Sequence, residues 1–276
     1  MLVVRITGGL GNQMFQYAFA RMLQQNGHKV FIHWHPHKTK SKHNGYELDT
    51  AFKLPLSNII PISNNSFSRS LITWWMRKLM RRRDQHVFTY DSQYLDNKLA
   101  YLDGYWQTSQ YFEPISHIIR KDFTFKPLSG SKNLELLERL SSQEHCSVHI
   151  RRGDYITHRD LGGICDEAYY RRALSMLAKR NHKCPLVVFS DDILYSKELL
   201  GDYKSAIFCD WNNGISSWMD MALMARCAHH IIANSTFSWW GAWLGNTNGT
   251  TIAPSLWTKN PNFKSTNIIP NNWTRL

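Results

Sequence analysis

A histidine followed by two adjacent arginines, in His149-Ile150-Arg151-Arg152-Gly153-Asp154, offers chemistry suited to a phosphorylated substrate. A guanidinium grips two diphosphate oxygens through parallel N–H bonds, and its permanent charge neutralises a diphosphate as it departs. Gly153 supplies a turn that can bring Asp154 to the same opening; a surface salt-bridge cluster is the competing reading. Ser190-Asp191-Asp192 brings adjacent carboxylates, either of which could accept the N1 and N2 hydrogens of guanine, unless Ser190 or Asp191 simply caps the next helix. Asn234-Ser235-Thr236-Phe237-Ser238 puts small hydroxyls and backbone N–H groups at a helix start, a natural site for an anion. Behind it Trp239 and Trp243, at i,i+4 spacing, read as packing residues, with stacking on a sugar or base as the alternative. Finally, Gly8-Gly9-Leu10-Gly11-Asn12-Gln13 lies where dinucleotide folds place GxGxxG, but Met14 replaces the last glycine. Gly9 and Gly11 would let a ligand approach the backbone, and Asn12 and Gln13 offer amides for sugar hydroxyls or a diphosphate; an ordinary tight turn is the alternative.

These groups need strands that end together. Leu2 to Ile6 reads as a buried strand, Met14 to Gln25 as a helix and Val30 to Trp34 as a second strand, a βαβ unit with the loop Thr7 to Gln13 at a strand's carboxyl end. Further on, Ser147 to Ile150, Leu186 to Phe189 and His230 to Ala233 read as strands, separated by helices over Glu167 to Arg180 and Ser216 to Ala228. The polar stretch from about 126 to 145 separates two α/β halves, placed here as domains 1–135 and 136–276.

The formal charge of +12 favours an anionic partner, whether a phosphorylated substrate, a nucleic acid or an acidic membrane. Neither an RNP-type aromatic strand nor a zinc-finger spacing is present, which argues against nucleic acid. Five cysteines without CxxC spacing read as reduced thiols and a cytoplasmic address. The cluster His33, His35 and His37 has no cysteine pair near it and reads as surface histidine rather than a zinc site. No DxD pair occurs, so no metal is expected. The opening residues lack the pattern of a signal peptide, and no apolar run approaches the roughly 18 residues of a membrane-spanning helix.

Taken in order, GGLGNQ at Gly8 to Gln13, HIRRGD at His149 to Asp154, SDD at Ser190 to Asp192 and NSTFSWWGAWL at Asn234 to Leu244 resemble the bacterial α-1,2-fucosyltransferases. The resemblance spans nearly the whole chain and implies a GT-B-like fold of two Rossmann-like α/β domains facing across a cleft. It also implies inverting, metal-independent transfer of L-fucose from GDP-β-L-fucose to the 2-hydroxyl of a galactose, in the setting of surface polysaccharide (O-antigen) synthesis. GDP-fucose enters as a co-substrate, held mainly by the C-terminal half. On matching positions, His149, Arg151 and Arg152 would contact the donor, with Arg151 on its diphosphate. One of Asp191 and Asp192 would bind guanine, Ser238 would bind phosphate, and Ser235, Thr236 and Phe237 would also contact the donor. Gly9, Gly11, Asn12 and Gln13 would face the acceptor or reacting sugar, and Asp154 is the candidate base for the acceptor hydroxyl. The alternatives are a noncatalytic carbohydrate or nucleotide binder and a fucosyltransferase of another linkage. Acceptor choice would reside in loops such as 38–45 and 63–70.

One stretch stands apart. Residues 71–83 combine Leu71, Trp74 and Trp75 with Arg77, Lys78, Arg81, Arg82 and Arg83, as interfacial helices do. This composition suggests peripheral contact with an anionic membrane, at the inner face of the cytoplasmic membrane, and access to lipid-linked acceptors. The alternative is a packed helix with a solvated basic face.

Overall fold

The computed structural model describes residues 1–34, 44–55, 60–62, 67–180, 184–245, 248–264 and 267–276, with 60–62, 67–70 and 72 by backbone alone. The chain forms two compact units: Met1–Lys126 with Thr266–Ile268, and Pro127–Ser265 with Ile269–Leu276.

The first unit begins with strand β1 (Leu2–Arg5), helix α1 (Leu10–Gln25) and strand β2 (Val30–His33). It continues through α2 (Leu48–Ala51), β3 (Ile60–Ile62), α3 (Phe67–Leu79), β4 (Arg81–Arg83), β5 (Ala100–Asp103) and α4 (Ser116–Asp122). Its parallel sheet has the order β3-β2-β1-β5-β4. Helix α1 starts at Leu10, so Gly11, Asn12 and Gln13 occupy its first turn rather than a loop. The helix is buried almost all round, and its polar side chains are paired accordingly: Arg21 Nε donates to Asp122 Oδ2 at 2.7 Å. His33 is buried, with Nδ1 2.8 Å from the Tyr101 hydroxyl, which corrects the surface reading; His35 and His37 fall outside the described residues. So do 38–43 and 63–66 of the expected acceptor loops.

The second unit contains α5 (Ser131–Ser142), β6 (Cys146–Ile150), α6 (Glu167–Lys179), β7 (Leu186–Ser190), α7 (Ile193–Leu200) and β8 (Ile207–Cys209). After these come α8 (Trp218–Met224), β9 (His229–Ile231), α9 (Thr236–Leu244), β10 (Thr251–Ala253) and β11 (Thr274–Arg275). All strands are parallel, in the order β11-β10-β9-β6-β7-β8. Strand β7 is buried through Leu186, Val187, Val188 and Phe189, the continuous apolar pattern of a sheet covered on both faces, while β6 buries Val148 and Ile150 on one face and the polar Ser147 and His149 on the other. The expected boundary at 135/136 lies inside α5, whose Leu136 and Leu140 pack with Val187, Phe189 and Leu223. A helix whose apolar stripe covers this sheet travels with it, which moves the division to Lys126–Pro127. The expected helix Ser216 to Ala228 is shorter, with a 3₁₀ turn at Gly214–Ser216 and α8 beginning at Trp218.

All five cysteines are free thiols. Among the described residues no helix is long and apolar enough to cross a membrane.

Candidate functional site

Open parallel sheets bind ligands where the strand order reverses, because loops leaving neighbouring strands there splay to opposite faces. In the second unit the order reverses between β6 and β9, and the loops at these carboxyl ends are Arg151–Tyr155 and Ile232–Ser235. The sequence motifs HIRRGD and NSTFS therefore flank one switch point, with SDD on the adjacent strand β7.

Arg151 is forked. Its Nη2 donates to Asp154 Oδ1 at 2.6 Å and its Nη1 lies 3.0 Å from Asp191 Oδ2. The guanidinium also sits 5.4 Å from the Tyr155 ring centroid. Asp191 Oδ1 accepts the backbone N–H of Arg152 at 2.8 Å, so one carboxylate secures both arginines. Arg152 donates through Nε to Asp192 Oδ2 at 3.1 Å and lies 3.7 Å over the Tyr195 ring. Asp192, rather than Ser190 or Asp191, caps α7, its Oδ1 accepting the Tyr195 N–H at 3.1 Å. Ser190 Oγ accepts the Asp192 N–H at 2.9 Å and tightens the same turn. Both carboxylates remain partly exposed, with further lone pairs available to a ligand. At Gly153 an added Cβ would lie 2.5 Å from Asp191 Oδ2, so the Asp191 carboxylate would have to shift.

His149 faces away from Val148 and Ile150, as strand alternation predicts, yet is only 6 % exposed. Burial, aided by the charge of Arg151, lowers its pKa to about 3, so the ring is neutral at pH 7. Its Nδ1 is buried with no hydrogen-bond partner among the described residues, and its ring lies 5.8 Å from that of Phe237. A neutral imidazole with one unmade bond is prepared to meet a polar ligand atom.

Helix α9 opens with Ser235 as its cap, Oγ accepting the Phe237 N–H at 3.3 Å. Thr236 and Phe237 are half-buried in the first turn. Ser238 is 1 % exposed, and its hydroxyl turns back toward Ser235 O at 3.3 Å and Ala233 O at 3.5 Å. Trp239 is fully buried and stacks on Trp243, with centroids 6.1 Å apart, in line with the packing reading.

The first unit has its own reversal, between β1 and β5. Gly8 takes φ +83, and a Cβ on it would meet Asn12 Nδ2 at 2.6 Å. Gly9 precedes α1 as its cap residue, and its carbonyl receives the N–H groups of Asn12 and Gln13 at 3.0 and 3.1 Å. Gly11 is buried within the helix. Asn12 is half-buried, with Oδ1 accepting from Gln107 Nε2 at 2.8 Å, a tie from the loop after β5. Gln13 is spent on structure: Nε2 donates to Gly8 O and Gly45 O, and Oε1 accepts the Glu47 N–H. Sequence reasoning missed Gln107, Tyr155 and Tyr195. Only the position of Tyr155, just beyond HIRRGD, offered a signal; the others are brought in by the fold.

The model of the family described as glycosyl transferase family 11 matches residues 1–276. The chain belongs to glycosyl transferase family 11. Among family relatives, the α-1,2-colitosyltransferase of Escherichia coli is 32 % identical over 100 % of this chain and 99 % of its own. The O-antigen biosynthesis glycosyltransferase WbnK of Escherichia coli is 27 % identical over 91 % and 93 %. Galactoside alpha-(1,2)-fucosyltransferase 1 of Ateles belzebuth is 28 % identical over 86 % of this chain and 63 % of its own. Among solved structures, NodZ α-1,6-fucosyltransferase co-crystallised with GDP is similar in fold, with TM-score 0.55, 16 % identity and coverage of 88 % and 92 %. This family 11 chain is thus a glycosyltransferase with a GT-B-type fold built on parallel α/β sheets. Among its described residues no group of three His, Cys, Asp or Glu side chains could hold a metal ion.

Proposed function

We propose that this family 11 enzyme is an inverting α-1,2-fucosyltransferase, moving L-fucose from GDP-β-L-fucose to the 2-hydroxyl of a galactose in an oligosaccharide. Surface polysaccharide (O-antigen) synthesis is the proposed setting. The observation that carries the reading is the forked Arg151 beside neutral His149 at the β6/β9 switch point, in a chain whose relatives carry α-1,2 names.

The diphosphate of the donor takes the N–H groups of Arg151, which exchanges its carboxylate partners for phosphate oxygens. Arg152 and the start of α9 around Ser235, Thr236 and Phe237 add positive potential. Ser238 reaches a phosphate only by rotating its hydroxyl away from Ser235 O. His149 offers its unmade Nδ1 bond, and one of Asp191 and Asp192 accepts from guanine. The acceptor oxygen attacks the anomeric carbon opposite GDP, forming the new C–O bond as the bond to the β-phosphate oxygen breaks. Arg151 takes up the charge that develops on GDP. The acceptor proton passes to a base, for which Asp154 is the candidate, or to solvent. On the acceptor side the proposal uses Gly9, Gly11 and Asn12, with Gln13 holding their turn. Charge neutralisation by arginine makes the transfer metal-independent in this reading.

A second donor deserves a direct comparison because the Escherichia coli relative matched across the whole chain is named a colitosyltransferase. Colitose is L-fucose without its 3-hydroxyl. The test is a transfer assay with GDP-fucose, GDP-colitose and a panel of galactosides, with and without EDTA, reading linkage by NMR. An α-1,2-fucosylated galactoside formed equally with EDTA supports the proposal. Preference for GDP-colitose corrects the donor and keeps the linkage. No transfer from either donor, with no GDP binding, overturns it.

A further inference from the structure

Helix α3 presents its apolar stripe outward. Leu71, Trp74, Trp75 and Leu79 stand at i, i+3, i+4 and i+8, the stripe that a helix of a globular protein normally turns to its core. Here they are 45, 52, 53 and 65 % exposed, while the opposite side buries Thr73 and seats Met76 with Val3 and Tyr101. The two indoles meet edge to face at 5.1 Å, and Lys78 Nζ lies 5.0 Å from the Trp74 ring centroid.

Cations lie on and just beyond this helix. The helix ends at Leu79, and Arg81–Arg83 form the edge strand β4 instead of prolonging it, which corrects the single interfacial helix expected over 71–83. Arg81 is paired with Asp103, but Arg77, Lys78, Arg82 and Arg83 have no acidic partner among the described residues. Arg82 and Arg83 also line an open hollow of about 740 Å³ with Arg81, His86 and one acidic residue, Asp91. From residue 50 to residue 83 the chain contains no aspartate or glutamate.

Exposed indoles beside unpaired cations match one environment in both respects: apolar depth for rings under a layer of negative headgroups. We infer that this face of α3 docks the protein on an anionic lipid bilayer, with Trp74 and Trp75 at the headgroup boundary, Arg77 and Lys78 against lipid phosphates, and Arg82 and Arg83 of the following edge strand adding positive potential. These unpaired cations oppose a second copy of the same face, because like charges would meet. Docking does not depend on the proposed transfer reaction; its consequence, access to a lipid-linked acceptor, does.

The experiment is sedimentation of the full chain, without donor, against vesicles of phosphatidylcholine alone or with roughly a third phosphatidylglycerol. Each basic residue near such a surface strengthens binding about fivefold, so the anionic vesicles should bind at least about tenfold more protein. Added salt should weaken that binding. Trp74→Ser with Trp75→Ser, and separately Arg82→Glu with Arg83→Glu, should each reduce it about tenfold or more, with unchanged circular dichroism. Equal recovery on both vesicles, none on either, or full binding by both double variants overturns the inference. Lipid-free self-association that the tryptophan variant abolishes, with no vesicle binding, overturns it too and assigns the face to a second copy. Transfer to a soluble galactoside, run in parallel, should be unaffected by the tryptophan substitutions. Vesicle binding by a protein inactive in that assay would count against the transfer reading alone.

Discussion

Arg151 Nη1 lies 3.0 Å from Asp191 Oδ2, and the pair ties together the loops that leave the neighbouring parallel strands β6 and β7. Both side chains are about a third exposed or less, so the ion pair contributes only about 0–1 kcal/mol to stability. Its value is positional: it holds a guanidinium at the mouth of the switch point, where, in the proposed reaction, a diphosphate would replace the carboxylates.

Arg151→Ala should therefore lower kcat/KM for GDP-fucose by about a thousandfold while leaving the melting temperature nearly unchanged. Arg151→Lys, which keeps charge but loses the fork, should recover only a small part. Steady-state kinetics decide this, and activity of Arg151→Ala within a few-fold of wild type would remove the phosphate assignment.

Gly153→Ala places a methyl 2.5 Å from Asp191 Oδ2. Because the atom met is the end of a side chain, Asp191 should swing away rather than the loop unfold. Expected is about a tenfold rise in donor KM with near-native stability. A large loss of stability would show that the backbone, not Asp191, yields.

Gln107→Ala removes the donor that holds Asn12 Oδ1 at 2.8 Å. If Asn12 meets the reacting sugar or acceptor, kcat and acceptor KM should worsen about tenfold while GDP affinity stays constant. Gly8→Ala should disturb the same amide and, with φ +83, also cost about 1–2 kcal/mol of stability. Calorimetric GDP binding alongside initial rates separates the two.

Buried titratable groups set the acid limb of stability. His149 and His230 both have pKa values lowered to about 3 by burial, with Arg151 and His229 respectively adding to the shift. Between about pH 3 and 6.5 the unfolded chain binds protons there that the native protein does not, so stability falls as pH drops through this window. Asp220, raised to about 7 by burial, acts oppositely: its native carboxyl stays protonated and stability falls as pH rises from about 4 to 7. Two histidines against one carboxyl leave one net proton from these three groups, about 1.4 kcal/mol per pH unit. Denaturant melts of His149→Gln and Asp220→Asn against wild type, at pH 4.5 to 6, should change that slope by about one proton each in opposite senses. An unchanged slope in both variants would refute the assignment.

Ser235→Ala should destabilise α9 by about 1 kcal/mol, since its Oγ accepts the Phe237 N–H. Ser238→Ala discriminates between two uses of a buried hydroxyl. If Ser238 rotates to a phosphate, donor KM rises about tenfold; if it only bonds backbone, KM stays within about twofold.

The chemistry of the parts was legible in the sequence because it is local. The alternation at Val148 to Ile150 and the apolar run Leu186 to Phe189 read as buried strands, which put His149 on a strand face and left short loops to deliver Arg151 and Asp191 to strand ends. Which residues meet was a different matter, since pairing across a sheet depends on strand order. Nothing in the local pattern says that β6 lies between β7 and β9, yet that order alone sets HIRRGD beside NSTFS and joins Arg151 to Asp191 across 40 residues of chain. Gln13 and Asn12 look equivalent as adjacent amides, but burial and the carbonyls of Gly8 and Gly45 consume the first while Gln107 merely orients the second. Likewise the composition of residues 71–83 announced an amphipathic basic segment, whereas its break into a helix and an edge strand, and the outward turn of Trp74 and Trp75, were decided by Met76 packing with Val3 and Tyr101 and by Arg81–Arg83 pairing with β5. Side-chain type is written residue by residue; which face is buried follows from what the rest of the chain brings to cover it.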